Sequence, residues 1–182
     1  MQSEPTLNRK AGDTTTQLAQ IMTPTEANFI GKVFGGSLLA LIDLCASATA
    51  QKYSGLVSVT ASFDRVDFHD PIEIGELVTL TGQVSYVGRT SMEVVIDVEA
   101  TNLRTGVNRH TNTARVTMVA IKDGKPSLVP RLICVTREEK IRFLECKLRR
   151  ESRNSQMKQL EENRRQLSDS TDAELDRIME AP

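Results

Sequence analysis

The sequence predicts an α+β fold in which an antiparallel sheet wraps one long central helix, with a charged helix appended towards the C-terminus. Three observations carry this. From about Gly36 to Lys52 apolar residues recur with the helical period, and four stretches of period two follow. The short linkers among those stretches make the strands mostly antiparallel neighbours. Past Pro130 the composition turns strongly charged.

Residues 1–16 are polar and are expected to be disordered. The first apolar-patterned piece, Leu18 to Met22, stops at Thr23-Pro24-Thr25, so the folded domain is expected over residues 17–135. Its helix is marked by Leu38, Leu39, Ile42, Cys45, Ala46 and Thr49 at i, i+3, i+4, i+7 spacing, with small residues Ala46, Ala48 and Ala50 in the second half.

After Ser54-Gly55 the period changes. Val57, Val59, Ala61 and Phe63 alternate with Ser58, Thr60, Ser62 and Asp64. The next strands are marked by Val78 to Tyr86, Met92 to Ala100 and Asn112 to Ala120, joined by turns at Gly88-Arg89 and Arg104-Thr105-Gly106 and followed by Asp123-Gly124. A helix with so long a meander behind it leaves its apolar surface wet unless the sheet curls around it. Thr136-Arg137-Glu138-Glu139 has the form of a capping box and opens a second helix over 136–167, followed by an acidic, ragged tail over 168–182.

The 182 residues fit one domain plus an appendage, with 39% apolar residues to build a core. Lys and Arg total 23 against 24 acids, a net charge of −1, which gives no whole-molecule attraction to nucleic acid or to an anionic membrane. The basic surplus between 137 and 167, ten Lys or Arg against six Glu, reads as a solvated or oligomer-facing helix, and no helix-turn-helix pattern accompanies it. No stretch of about 18 apolar residues is present, so membrane insertion is not expected. Cys45, Cys134 and Cys146 are odd in number and widely spaced, which indicates neither a disulfide framework nor a zinc knuckle and favours a reducing, cytoplasmic setting. Cys45 reads as a small buried hydrophobe. His69 sits in a Pro-bounded loop and His110 opens a strand; neither has ligand-spaced companions, so no metal site is expected.

Chemistry concentrates between Asn28 and Asp43. Gly35 and Gly36 precede the apolar run of the helix, where backbone N–H groups at the positive end of the helix dipole suit a developing oxyanion. Two turns on, Asp43 places a carboxylate among Leu41, Ile42 and Leu44, at a cost unless it is solvated, paired or used. Ser47, at i+4, shares its face of the helix. Each has a plainer reading: Asn28 as a turn former, Asp43 as a solvated carboxylate, the glycines as a close-packing device.

The run Ala27-Asn28-x-x-Gly31-x-x-x-Gly35-Gly36 with Asp43, then Thr60 to Phe68, Pro71-Ile72, Gly75-Glu76 and Gly88-Arg89-Thr90-Ser91-Met92, resembles the hotdog-fold acyl-CoA thioesterases, in particular the bacterial and cytosolic single-domain acyl-CoA hydrolases. The likeness covers roughly residues 17 to 145. It implies a five- or six-stranded sheet around one helix, paired as a double-hotdog dimer with two interface active sites, and a trimer of such dimers, a hexamer, as the assembly. It implies Asp43 as base or nucleophile, the glycine-pair amides as oxyanion hole, Asn28 from the opposite subunit orienting the thioester or water, and Ser47 holding that water. It also implies that Val59 and Thr60 run beside the pantetheine arm and that Arg89, Thr90 and Ser91 take the CoA phosphates, with Lys125, Arg131 and Arg142 as weaker candidates.

The expected reaction is therefore hydrolysis of acyl-CoA to fatty acid and CoA, with no cofactor beyond the CoA carried by the substrate. Thioester hydrolysis needs a nucleophile, an oxyanion site and a thiol that leaves readily, so a chain with two histidines can perform it without a Ser-His-Asp triad. Two competitors share the fold: a hydratase, which asks for a histidine near the helix, and a non-catalytic acyl-CoA or nucleotide sensor, against which the joint presence of Asp43, Asn28 and Gly35 argues.

Overall fold

Helix α1, Gly35–Ser54, buries Leu38, Leu41, Ile42, Cys45, Ala46, Thr49, Ala50 and Tyr53, an unbroken i, i+3, i+4 stripe. It stops at Gly55, whose left-handed φ of 72° lets its N–H bond the Gln51 carbonyl at 2.8 Å. Arg9 Nη1 satisfies a further terminal carbonyl, that of Lys52, at 2.6 Å. The computed structural model describes residues 8–64, 66–68 and 70–180; residues 1–7 of the expected disordered segment, and His69, lie outside the described residues.

The strands are β1 (Asn8–Lys10), β2 (Thr16–Ile21), β3 (Val57–Phe63), β4 (Leu77–Val87), β5 (Ser91–Thr101), β6 (Asn108–Lys122), β7 (Lys125–Pro126) and β8 (Arg131–Ile133). The main sheet is antiparallel with order β2-β4-β5-β6-β3, and β7 pairs with the end of β6. It curls around α1, which touches all five of the long strands. The helix packs tightly on β4 at Gly82, where a Cβ would overlap Thr49 Oγ1 and lie 3.1 Å from Cys45 Sγ.

Helices α2 (Arg137–Asp169) and α3 (Asp172–Glu180) complete the chain, which divides into two compact units between Phe143 and Leu144. In the first unit, α2 opens with the Thr136–Glu139 capping box, Glu139 N–H donating to Thr136 Oγ1 at 3.1 Å and Thr136 N–H to Glu139 Oε2 at 3.1 Å. The second unit holds the rest of α2 and α3. No helix among the described residues is long and apolar enough to cross a membrane.

Two expectations are corrected. Residues 8–16 are ordered, because β1 pairs in parallel with β8 and Lys52 Nζ donates to the Thr15 carbonyl at 2.8 Å. Residues 172–180 form a helix, at whose start Glu174 Oε2 accepts from the Thr171 amide and hydroxyl at 2.8 and 2.9 Å, a cap that the acidic composition obscured. On the edge strand β3 the apolar Val57, Val59 and Phe63 are exposed, whereas Ser58 and Thr60 point towards α1.

Candidate active site

Asp43 is half-buried in the middle of α1, at the margin of its apolar stripe. The Thr60 hydroxyl of β3 donates to its Oδ1 at 2.5 Å, and Met118 Sδ of β6 lies 3.5 Å from the same hydroxyl oxygen. The bond ties one carboxylate oxygen and fixes the orientation of the group. Ser47, one turn further along α1, is half-buried. The sequence reading put Thr60 beside the pantetheine arm; its contact here is with Asp43. The legible signal was a hydroxyl on the inward face of a strand whose apolar residues face out.

The glycine pair forms the first turn of α1. Phe34, at the N-cap, is extended and offers no capping side chain, so the Gly35 and Gly36 amides carry no intrahelical partner. A Cβ on Gly36 would overlap the Phe34 ring, with Cζ at 2.9 Å, whereas one on Gly35 would meet only Phe68 Cζ at an ordinary 3.6 Å. A side chain at Gly36 would therefore push the exposed Phe34 ring aside.

Asn28 starts a tight loop. Its backbone N–H donates to the Lys32 carbonyl at 2.7 Å, and its Oδ1 accepts from the Ile30 and Lys32 amides at 3.0 and 3.1 Å. Gly31, at φ 76°, makes the left-handed step this closure needs. The turn-forming reading is thus realised in full, and it consumes the amide oxygen; Nδ2, a donor only, is the part left for a ligand. Asn28 and Gly35 line a pocket of about 330 Å³ with Leu38, Phe68, Pro71 and Ile72. Asp43 and Thr60 do not line it. One protomer therefore brings together Asn28 with Gly35, and Asp43 with Thr60, as two separate halves.

At the β4–β5 turn, Arg89 and Thr90 have their carbonyls held by the Val129 and Ala120 amides at 3.1 and 3.0 Å, while the Gly88 amide donates to Ser91 O at 2.8 Å. The Arg89 side chain is exposed and Thr90 and Ser91 are half-buried. Val59 is exposed on the outer face of β3, and Lys125 and Arg131 are exposed as well. Arg142 is committed elsewhere, to Glu138 at 3.1 Å and Asp97 at 3.6 Å. His110 bonds Thr113 Oγ1 at 2.9 Å. Cys45 is fully buried, and burial pushes its thiol up, as an inert core residue requires.

A single helix gripped by a curled antiparallel sheet, with a carboxylate at its middle and free amides at its start, defines a hotdog-fold protein. Residues 30–107 match the thioesterase superfamily. The chain is 40% identical over 114 residues to the protein VdlD of Helicobacter pylori, covering 63% of this chain and 66% of that one, so it spans just under two thirds of that relative's length. It superposes on a hexameric acyl-CoA thioesterase with a TM-score of 0.79 and 37% identity, over 82% of this chain and 97% of the other. A Staphylococcus aureus acyl-CoA hydrolase, solved with butyryl coenzyme A, coenzyme A and coenzyme A disulfide, gives 0.78 and 30%, over 89% and 99%. This chain belongs to the hotdog-fold acyl-CoA thioesterases of the thioesterase superfamily.

Proposed function

We propose that the protein hydrolyses acyl-CoA thioesters to a fatty acid and CoA, with Asp43 as general base or nucleophile. The observation that carries the reading is the Thr60–Asp43 hydrogen bond, which aims a carboxylate from the middle of an apolar helix. In the general-base route, Asp43 takes a proton from water as its oxygen adds to the thioester carbonyl; in the nucleophilic route, Asp43 itself adds and water hydrolyses the resulting anhydride. Either way negative charge develops on the carbonyl oxygen. Asn28 Nδ2 and the unpartnered amides of Gly35 and Gly36 are the donors that stabilise it, and Ser47 holds the water. The tetrahedral adduct then collapses with cleavage of the C–S bond, and the CoA thiolate that leaves takes up the proton Asp43 removed from water or, in the nucleophilic route, one from solvent, a departure that needs no metal or organic cofactor.

The two halves of the site meet between protomers. The edge strand β3 exposes Val57 and Val59 at 63% and 46%, and the tip of the Asn28 loop exposes Phe29 and Ile30; apolar surface so disposed calls for a partner. A dimer formed along β3 sets Asn28 of one chain against Asp43 of the other, and a trimer of dimers is the assembly proposed, as in the hexameric thioesterase it resembles. The CoA moiety runs along Val59 and Thr60 to Arg89, Thr90 and Ser91, where a guanidinium and two hydroxyls suit phosphate. Three free thiols fit a reducing, cytoplasmic setting.

The test is release of free thiol from short to long acyl-CoA esters by wild type, Asp43→Ala and Asn28→Ala, with the oligomeric state of each measured. Turnover that falls at least about 100-fold in both intact variants supports the reading; tight acyl-CoA binding without turnover by wild type refutes it in favour of a sensor.

A further inference from the structure

We infer that the Arg109–Glu76 ion pair positions the loop that carries Asn28, and that it governs turnover through that loop. Arg109 of β6 grips Glu76 with both arms of its guanidinium, Nη1 to Oε1 at 2.6 Å and Nη2 to Oε2 at 2.8 Å, and Nη2 also donates to the Pro71 carbonyl at 2.8 Å. Glu76 is only 4% exposed, and a carboxylate so placed needs a matched, bidentate partner.

From this anchor a continuous set of bonds leads to Asn28. Glu76 Oε2 accepts the Glu73 amide at 2.9 Å and Gly75 N–H donates to the Met22 carbonyl at 2.7 Å, closing the turn before β4. Glu73 meets Lys32 twice, as a backbone bridge and as an Nζ–Oε1 ion pair, and the Val33 amide donates to the Ile72 carbonyl at 2.9 Å. Lys32 N–H then donates to Asn28 Oδ1 at 3.1 Å. Pro71 and Ile72, held by the same clamp, form a wall of the pocket beside Asn28, but Arg109 and Glu76 do not line it. Their action on a substrate passes through the loop. Burial alone would raise the Glu76 carboxyl; the Arg109 guanidinium instead holds it below its ordinary value, as a tight clamp does.

The inference rests on the reading that Asn28 acts in turnover, and the experiment separates the two. We would measure kcat and KM on one short acyl-CoA for wild type, Asn28→Ala, Arg109→Met and the double variant, with Glu76→Gln as a second probe if Arg109→Met fails to assemble. Arg109→Met should lower kcat about 10- to 100-fold with a smaller change in KM, because a loop displaced by a fraction of an ångström loses alignment more than affinity. The double variant should be no slower than Asn28→Ala alone, since the clamp acts through that residue. Arg109→Lys should restore kcat only in part, one ammonium being unable to span both Glu76 oxygens and Pro71 O. Losses that multiply, with Asn28→Ala itself impaired, would overturn the positioning role alone; Asn28→Ala with undiminished kcat would overturn the Asn28 reading and this one with it.

Discussion

Thr60 of β3 donates its hydroxyl hydrogen to Asp43 Oδ1 of α1 at 2.5 Å, joining the edge of the sheet to the middle of the central helix. Thr60→Val keeps the shape and deletes the donor, so the Asp43 carboxylate is no longer held in one orientation, and kcat should fall about 10- to 100-fold. Steady-state thiol release checks it; unfolding temperature should change little, because Thr60 is only half-buried.

Asn28 has two separable jobs, and two substitutions separate them. Asn28→Asp keeps an oxygen for the Ile30 and Lys32 amides but loses the Nδ2 donor. It should retain the wild-type Tm and lose at least about 100-fold in kcat, an anion now facing the developing oxyanion. Asn28→Ala removes the loop closure too, and should in addition lower stability by about 1 kcal/mol in urea unfolding.

Gly82 is where α1 and β4 touch. Gly82→Ala forces its Cβ against Thr49 Oγ1, both residues being buried, and should destabilise by about 1–3 kcal/mol. Gly35→Ala meets only the Phe68 ring at 3.6 Å and should fold normally. Thermal unfolding of the two variants side by side makes the comparison.

The Glu76 carboxyl is held below its ordinary value of 4.5 by Arg109. The unfolded chain therefore takes up this proton at a higher pH than the folded chain. The stability that the pair contributes is present above 4.5 and is lost as pH falls through the lower folded value. The Tm difference between wild type and Glu76→Gln should be full at neutral pH and shrink steadily through the acid range.

Local periodicity made α1 and strands β3 to β6 legible, because each is long enough to repeat its pattern several times. The three-residue strands β1 and β8 were not, since they repeat nothing and pair across the chain, Asn8 with Arg131. The loop and helix holding Asn28, Gly35 and Asp43 could be picked out by spacing. What spacing could not reveal is which atom of Asn28 its own loop consumes, or that the partner of Asp43 is a threonine from a strand folded back over the helix. The same limit hid Glu76 and Arg109, 33 residues apart and joined only by the sheet. In β3 the apolar Val57, Val59 and Phe63 stand on the face of the edge strand turned away from α1, while Ser58 and Thr60 on the other face bond Ser54 and Asp43 of the helix.

The central claim is that each active site draws Asp43 from one chain and Asn28 from another, and mixing inactive chains tests it most directly. Asp43→Ala and Asn28→Ala chains, each without turnover alone, are co-expressed, purified as a mixed assembly and assayed for thiol release. A mixed dimer holds one site of two in which both residues are intact, so dimers purified as mixed should recover about half of wild-type activity, and an unselected random mixture about a quarter. Mixed dimers, verified by tags on the two chains, that stay inactive would contradict the shared site and return both residues to a single protomer.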